Sequence, residues 1–514
     1  MEAPAAAVLA VAILGLLGCM LGGAPCRAAE PDPDPFAYEL QWQDSDWDLQ
    51  KARSAEVYHA RVSLIESPLF EQLSGELRHE RLLSTGWLGV EQHDYAFAHG
   101  LLVRSSAMDR PGSDDWSGRM YAALGMADLD DATLALTRLA QGWPDELSRV
   151  PADAVWRIAP REGDSEEQRA ASFELRLALY RAEYKGAHEV SPGALWGRLA
   201  MELFERGRIA EARDLLPSLN SPRTLLTMRI DRRYDALVRE APALFDVKAA
   251  AAREISDYEE AVQRYPRNVD AVAQLCYAYL DAGSYRDVLR AAAAVLSRAD
   301  DPNSFAAAYD EDETAFNWVL DTYARASAAM RNWDEAVRAL EVAAQGLEHG
   351  RLNVSNVINL GGFYADLGKP DKALRVLAEI SDEDSETLMS PYGRMAWHAA
   401  RLHATLAKGD AAAADAELAY LRTHQNDAVG AYQDGLLRAG RMEDAAVVLI
   451  ARLRDPQRYQ AALREIQIYQ YPPAPPGVVQ LRALQRALAR RADVQQAVAQ
   501  VGRIERVPLP PDAE

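Results

Sequence analysis

At 514 residues with a formal charge of −21, the chain lacks the clustered basic footprint that nucleic acid requires, and charge alone would not hold it to an anionic membrane. Apolar residues make up 49% of the chain, enough for a large buried core.

The first predicted element is a targeting segment, residues 1–29. Ala5 to Leu21 is an unbroken apolar and glycine stretch followed by small residues, the pattern of a secretory signal, although the leading Met-Glu-Ala-Pro carries no basic residue. Cys26-Arg27-Ala28 offers a cleavage site before Ala29. Leu16-Leu17-Gly18-Cys19 resembles a bacterial lipobox, which makes Cys19 a candidate lipidation site. Three outcomes stay open: a soluble chain starting at Ala29, a lipoprotein at Cys19, or an uncleaved anchor, since about 17 apolar residues is the lower limit for a span. Cleavage after Ala28 would leave Cys276 as the one cysteine, and no internal disulfide could form. An Ala- and Arg-rich, Lys-poor composition fits a GC-rich bacterial source. The expected location is extracytoplasmic, in the periplasm or envelope.

Residues 30–45 alternate acid and proline and read as an extended spacer. Helical periodicity starts near Trp47 and runs to the C-terminus, and no stretch alternates as a strand would. Residues 46–112 are expected to be helical and to hold degenerate repeats. From 113 to 470, an apolar, small-residue helix recurs, followed by a turn and a second helix that opens on a small residue. The recurring small residues are Ala132, Ala212, Val288, Ala336, Ala373, Ala414 and Ala445. The two widest gaps imply degenerate pairs near 165–190 and 235–262. Tyr471 to Gly477 holds four prolines and breaks the array. Residues 478–514 read as one amphipathic helix and a tail, either a cap for the exposed end of the array or a docking helix.

These units resemble the tetratricopeptide repeat family. The match is carried by Trp116 with Leu124, Trp196 with Leu199-Ala200, Leu275-Cys276 with Tyr279, and Leu360-Gly361 with Tyr364. The inter-helix glycines are Gly207, Gly283, Gly368, Gly409 and Gly440, and Asp128 and Arg331 stand where glycine is usual. The resemblance implies an all-α, right-handed α-solenoid of stacked antiparallel helix pairs with a C-terminal capping helix. It also implies a concave groove lined by the first helix of each pair. Carried over residue by residue, that groove holds Arg198, Met201, Tyr277, Asp281, Trp318, Asp321, Arg325, Asn359, Asp366, His403, Asp434 and Arg438. Glu205 falls on the same face.

Catalytic spacings are scarce. Gly361-Gly362 and Gly368-Lys369 lack the spacing and the hydroxyl of a phosphate loop. His398 and His403, five residues apart, do not share a helical face. The acidic runs Asp310–Glu313 and Asp382–Glu386 lack the glycine and spacing of a calcium loop and read as solvated inter-repeat loops. Asn353-Val354-Ser355 has the pattern of a glycosylation sequon. No metal and no cofactor is expected. The function that follows is a non-enzymatic scaffold in the bacterial cell envelope, binding protein or peptide partners through its concave face, in envelope assembly, secretion or polysaccharide export. Two alternatives remain: a glycan-binding repeat protein, and an enzyme whose site lies in 36–110, where His59, Glu66, His79, His93 and His99 gather in sequence.

Overall fold

A computed structural model describes residues 47–161, 165–298, 308–310, 313–348 and 351–511. The signal segment with Cys19, the spacer and residues 311–312 of the first acidic run lie outside the described residues. The described chain is helical, apart from two pairs of two-residue strands. Leu347–Glu348 runs antiparallel to Arg351–Leu352, and Ile468–Tyr469 runs parallel to Arg506–Val507. Sequence periodicity pointed to no strands, because two residues cannot display an alternation. The chain divides into two compact units, with the boundary between Ala212 and Arg213.

Antiparallel helix pairs are the building block of both units. Successive helices such as Val354–Asp366 and Pro370–Leu377 are joined by a turn too short for any other arrangement. That turn requires one left-handed residue. Gly207, Gly283, Gly368, Gly409 and Gly440 supply it at φ between 70° and 81°, and Arg331 takes the same conformation at 68°. Asp128 does not. Ala127, at φ 58°, is the left-handed residue, and Asp128 caps the next helix by accepting from the Asp131 amide.

The aligned small residues form the seam of each pair. Ala132, Ala212, Val288, Ala336, Ala373, Ala414 and Ala445 are all between 0% and 4% exposed. At Gly361 the approach is closer still, because a Cβ there would sit 2.5 Å from the Leu377 side chain. Ala373→Leu therefore overpacks a closed seam and should cost about 1–3 kcal/mol, read as a lower urea midpoint at unchanged m-value. Cys276 belongs to this core. It is fully buried, and burial pushes its thiol up to about 12, beyond ordinary reactivity.

The N-terminal unit holds one pair that the residue alignment missed, Gly75–Glu91 with Tyr95–Ser106. Its seam residue is Ala98, and His93 is its left-handed turn residue. The expected pair near 165–190 is one helix, Glu166–Arg181, followed by a short 3-10 turn. Gly186 and Pro192 leave no room for a second helix. The expected pair near 235–262 is a six-residue helix, Asp235–Glu240, a 3-10 turn from Pro242 to Phe245, and one long helix, Val247–Arg264. The second acidic run is a helix, Asp382–Leu388, rather than a loop. Asn353 is buried as a helix cap and donates to the Ala343 carbonyl, so the sequon is closed to modification.

The C-terminal unit closes on itself. Helix Pro222–Ile230 packs on helix Tyr459–Glu465. Fully buried Asp231 accepts the Tyr459 hydroxyl at 2.6 Å, Arg464 reaches Thr227, and Arg229 pairs with Glu505. The expected single C-terminal helix is two, Pro476–Ala489 and Ala492–Val501, broken at Arg490 and Arg491. The second packs on helix Met442–Arg454 as a cap would. The first turns onto the inner face instead, against helices Val354–Asp366 and Val429–Arg438.

Candidate functional site

The first helices of the C-terminal unit bring most of the expected groove residues onto one surface, in two polar clusters. Helices Val269–Asp281, Glu313–Ala329 and Val354–Asp366 build the first. The Tyr277 and Trp318 rings meet at 6.3 Å. Arg325 donates to Asp321 at 2.7 Å, and Asn359 donates to the other Asp321 oxygen at 3.1 Å. Asp321 is 1% exposed, so it is a buried acceptor that ties adjacent repeats and not a groove contact. Burial, reinforced by the Asp321 charge, pushes the Tyr277 hydroxyl far above the usual range. Tyr277, Trp318 and Arg325 are half-buried around it.

The second cluster spans helices Val354–Asp366, Pro391–Lys408 and Val429–Arg438. Arg438 donates to the His403 Nε2 at 2.9 Å and reaches Asp366 at 3.4 Å, while the His403 Nδ1 lies 3.4 Å from Asp366. An arginine can only donate, so His403 is the neutral tautomer with its proton on Nδ1. Burial, then the Arg438 charge, lowers His403 to about 3. Burial raises Asp366 to about 6 against the pull of Arg438. Asp434 is raised to about 6, again by burial, although Gln485 donates to it at 3.0 Å.

This cluster is covered by the chain itself. Gly477 sits where a Cβ would lie 2.9 Å from the Asp366 Cα and from the His403 ring. Eight residues on, Gln485 holds Asp434. Arg482 folds back over the Tyr471 ring at 4.5 Å and donates to the Pro472 carbonyl. Asp281 lines a small cleft of about 130 Å³ with Tyr469, Val507, Leu509 and Pro510 from the same C-terminal segment. The Pro-rich break was legible in sequence, but its path was not. Where the sequence suggested an open groove, helix Pro476–Ala489 lies on the inner face.

Arg198 and Met201 belong to the other compact unit. Met201 is 8% exposed, so it is core, and Arg198 lies 3.5 Å from Glu202 on its own helix. The histidines of the N-terminal region do not converge. His79 meets Asp115 at 2.8 Å, His99 meets Asp131 at 2.8 Å, and His93 meets Tyr95 at 2.7 Å. Ser105 also donates to Asp115, but the carboxylate stands between serine and histidine, so the histidine is not placed to take the serine proton. Among the described residues, no three His, Cys, Asp or Glu side chains gather as a metal site, and no helix is long and apolar enough to cross a membrane.

Sequence reasoning missed one cluster entirely. His398, Arg401, Tyr420 and His424 come together on a face of helix Pro391–Lys408 away from His403. They belong to two different helices, so no single spacing exposes them.

No protein-family model matches the chain, and no curated protein is similar to it. Solved structures align as helical arrays. The TPR domain of P58(IPK) is 17% identical over 72% of this chain and 98% of its own, with a TM-score of 0.20. Cut9, solved with Hcn1 as an APC/C hetero-tetramer, is 13% identical over 88% of each chain, at 0.29. Naa15/Naa10 bound to HypK-THB is 15% identical over 81% of this chain and 71% of that one, at 0.22. At such scores the helical-repeat fold of the chain rests on its own helix pairs and left-handed turns.

Proposed function

We propose that this chain is a non-enzymatic repeat protein that binds a protein partner through the inner face of residues 222–465. Its own C-terminal segment holds that face until a partner replaces it. The observation that carries this reading is helix Pro476–Ala489 lying across the first helices, over Asp366, His403 and Asp434. The face therefore takes a proline-rich turn leading into a helix that donates from Gln485 to Asp434 and brings the Arg482 charge to Asp366. Of that helix, Leu488 alone is fully buried, so little fully buried apolar area holds it. Such a contact suits exchange. We assign the protein to the bacterial envelope on its N-terminal apolar stretch, in envelope assembly, secretion or polysaccharide export. Mass spectrometry of the mature N-terminus should find either a lipidated Cys19 or a free Ala29, and an intact Met1 on soluble protein would remove that assignment.

The test of the binding reading uses the full chain and a labelled peptide spanning Gln470 to Arg491. Wild type should take up little peptide, because its own segment competes. Gly477→Val with Gln485→Ala should loosen the segment and raise peptide uptake about tenfold or more. A loosened variant, shown to be cut by protease between 471 and 491, that takes up no peptide would end the proposal.

A further inference from the structure

We propose that the cleft between helices Asp382–Leu388, Pro391–Lys408 and Ala411–Thr423 binds an acidic sugar unit, a hexuronate of an oligo- or polysaccharide. The cleft measures about 650 Å³ and is lined by Asp382, Glu386, Arg394, His398, Arg401 and Tyr420, with His424 and Trp397 behind them. A volume of this order accommodates a small ligand.

Its walls are held in place from below. Glu417, 6% exposed, accepts from the His398 Nδ1 at 2.5 Å and from the Arg401 Nε at 2.6 Å. That fixes the His398 tautomer, leaves its Nε2 for a ligand, and leaves the forked end of Arg401 outward. Arg401 also rests on the Trp397 ring at 4.7 Å. The His398 and Tyr420 rings stack at 3.5 Å, and the Tyr420 and His424 rings at 4.0 Å. Stacking covers both faces of the Tyr420 ring and one face of each imidazole, and the His424 Nδ1 is held by the Tyr420 carbonyl at 3.0 Å, so the phenol hydroxyl and the two Nε2 edges are the groups on offer. The result is a short row of imidazole, phenol and imidazole hydrogen-bonding groups.

The charges select the ligand. Arg394 and Arg401 call for an anion, and a planar carboxylate matches a guanidinium fork. Exposed Asp382 and Glu386 would repel a dianion such as phosphate but accept from hydroxyls. A ligand that carries one carboxylate and several hydroxyls satisfies both sets, and a hexuronate is of that kind. Helix Asp382–Leu388 is an insertion between repeats. Its capping box, built on Ser381, brings both acids to the cleft. This site is independent of the inner face, so either can fail without the other.

Trigalacturonate and a glucuronate oligomer of equal length, titrated into the full chain and followed by calorimetry, test the site, with maltotriose as the neutral control. At least one acidic oligomer should bind saturably at or below about millimolar concentration, and maltotriose at least tenfold more weakly. Arg401→Lys keeps a cation on Glu417 but loses the fork, and should weaken binding about tenfold. Tyr420→Leu, which keeps the apolar volume but loses the phenol edge, should weaken it as well. Circular dichroism of each variant confirms folding. Absence of saturable binding to both acidic oligomers, equal binding of maltotriose, or undiminished binding by folded Arg401→Lys would each overturn the proposal.

Discussion

Asp231→Ala should lower the stability of the C-terminal unit by about 3 kcal/mol, far more than a typical surface change. Asp231 is fully buried and accepts from the Tyr459 hydroxyl, Gln460 and both the backbone and the guanidinium of Arg233. Alanine leaves the buried Tyr459 hydroxyl without its acceptor. It also removes one partner of Arg233, which itself stacks on Tyr459 at 4.8 Å. Arg233 is 42% exposed and can recover water, so the loss falls below that of a fully buried ion pair. Tyr459→Phe should cost about 1 kcal/mol, because it deletes donor and need together. The two substitutions should be strongly non-additive, since they act on one bond. In a linear array each repeat contacts only its neighbours, and stability is roughly a sum of local terms. Here residues 228 positions apart in sequence are bonded. Hydrogen exchange in Asp231→Ala should therefore rise at 222–235 and 459–469 together. Exchange confined to one of the two segments would show that the ends are not coupled.

The helix pairs were legible in sequence because their causes are local. Small seam residues, left-handed glycines and N-caps each act within a few positions, which is why Ala373, Gly368 and Leu360 fall where the pattern put them. Asp128 was misread for a local reason as well: an aspartate that caps a helix and a residue that turns the chain lie side by side. The long-range features left no such mark. Nothing near Tyr459 announces Asp231, and nothing near Gln485 announces Asp434. The groove residues were chosen by helical face, but side-chain roles depend on what covers that face. Asp321 became a buried tie between repeats, and Asp366, His403 and Asp434 lie beneath the C-terminal helix. The cleft at His398 was hidden for the same reason, since its walls come from three separate helices.

Docking of helix Pro476–Ala489 should respond to pH through three groups with opposed signs. Asp366 and Asp434 are raised from 3.8 to about 6 by burial. A carboxylate raised in the docked state favours docking fully below its free value of 3.8 and loses that contribution as the pH rises through about 6. His403 is lowered from 6.5 to about 3 by burial and by Arg438. Its contribution is full above 6.5 and fades as the pH falls toward 3. The charges facing these groups are Arg438 and Arg482 at Asp366, and Glu465, Arg438 and Arg452 at Asp434. Two carboxylates gain a proton on docking where one histidine gives one up. If each group regains its ordinary value on release, docking of the wild-type helix should tighten only severalfold, about fourfold, from pH 7 to pH 5. His403→Gln keeps an acceptor for Arg438 and removes the opposing group, so its docking should tighten about 100-fold over the same range. Asp366→Asn with Asp434→Asn mimics the protonated acids. At pH 7.5 it should hold the helix more firmly than wild type by up to about 3 kcal/mol per site, and its docking should weaken on acidification, reversing the sign. Anisotropy of a dye on Gln480→Cys, an exposed position of that helix, reads the docked fraction without touching the buried Cys276. Parallel pH profiles for wild type, His403→Gln and the double asparagine variant would mean that these three groups do not govern docking.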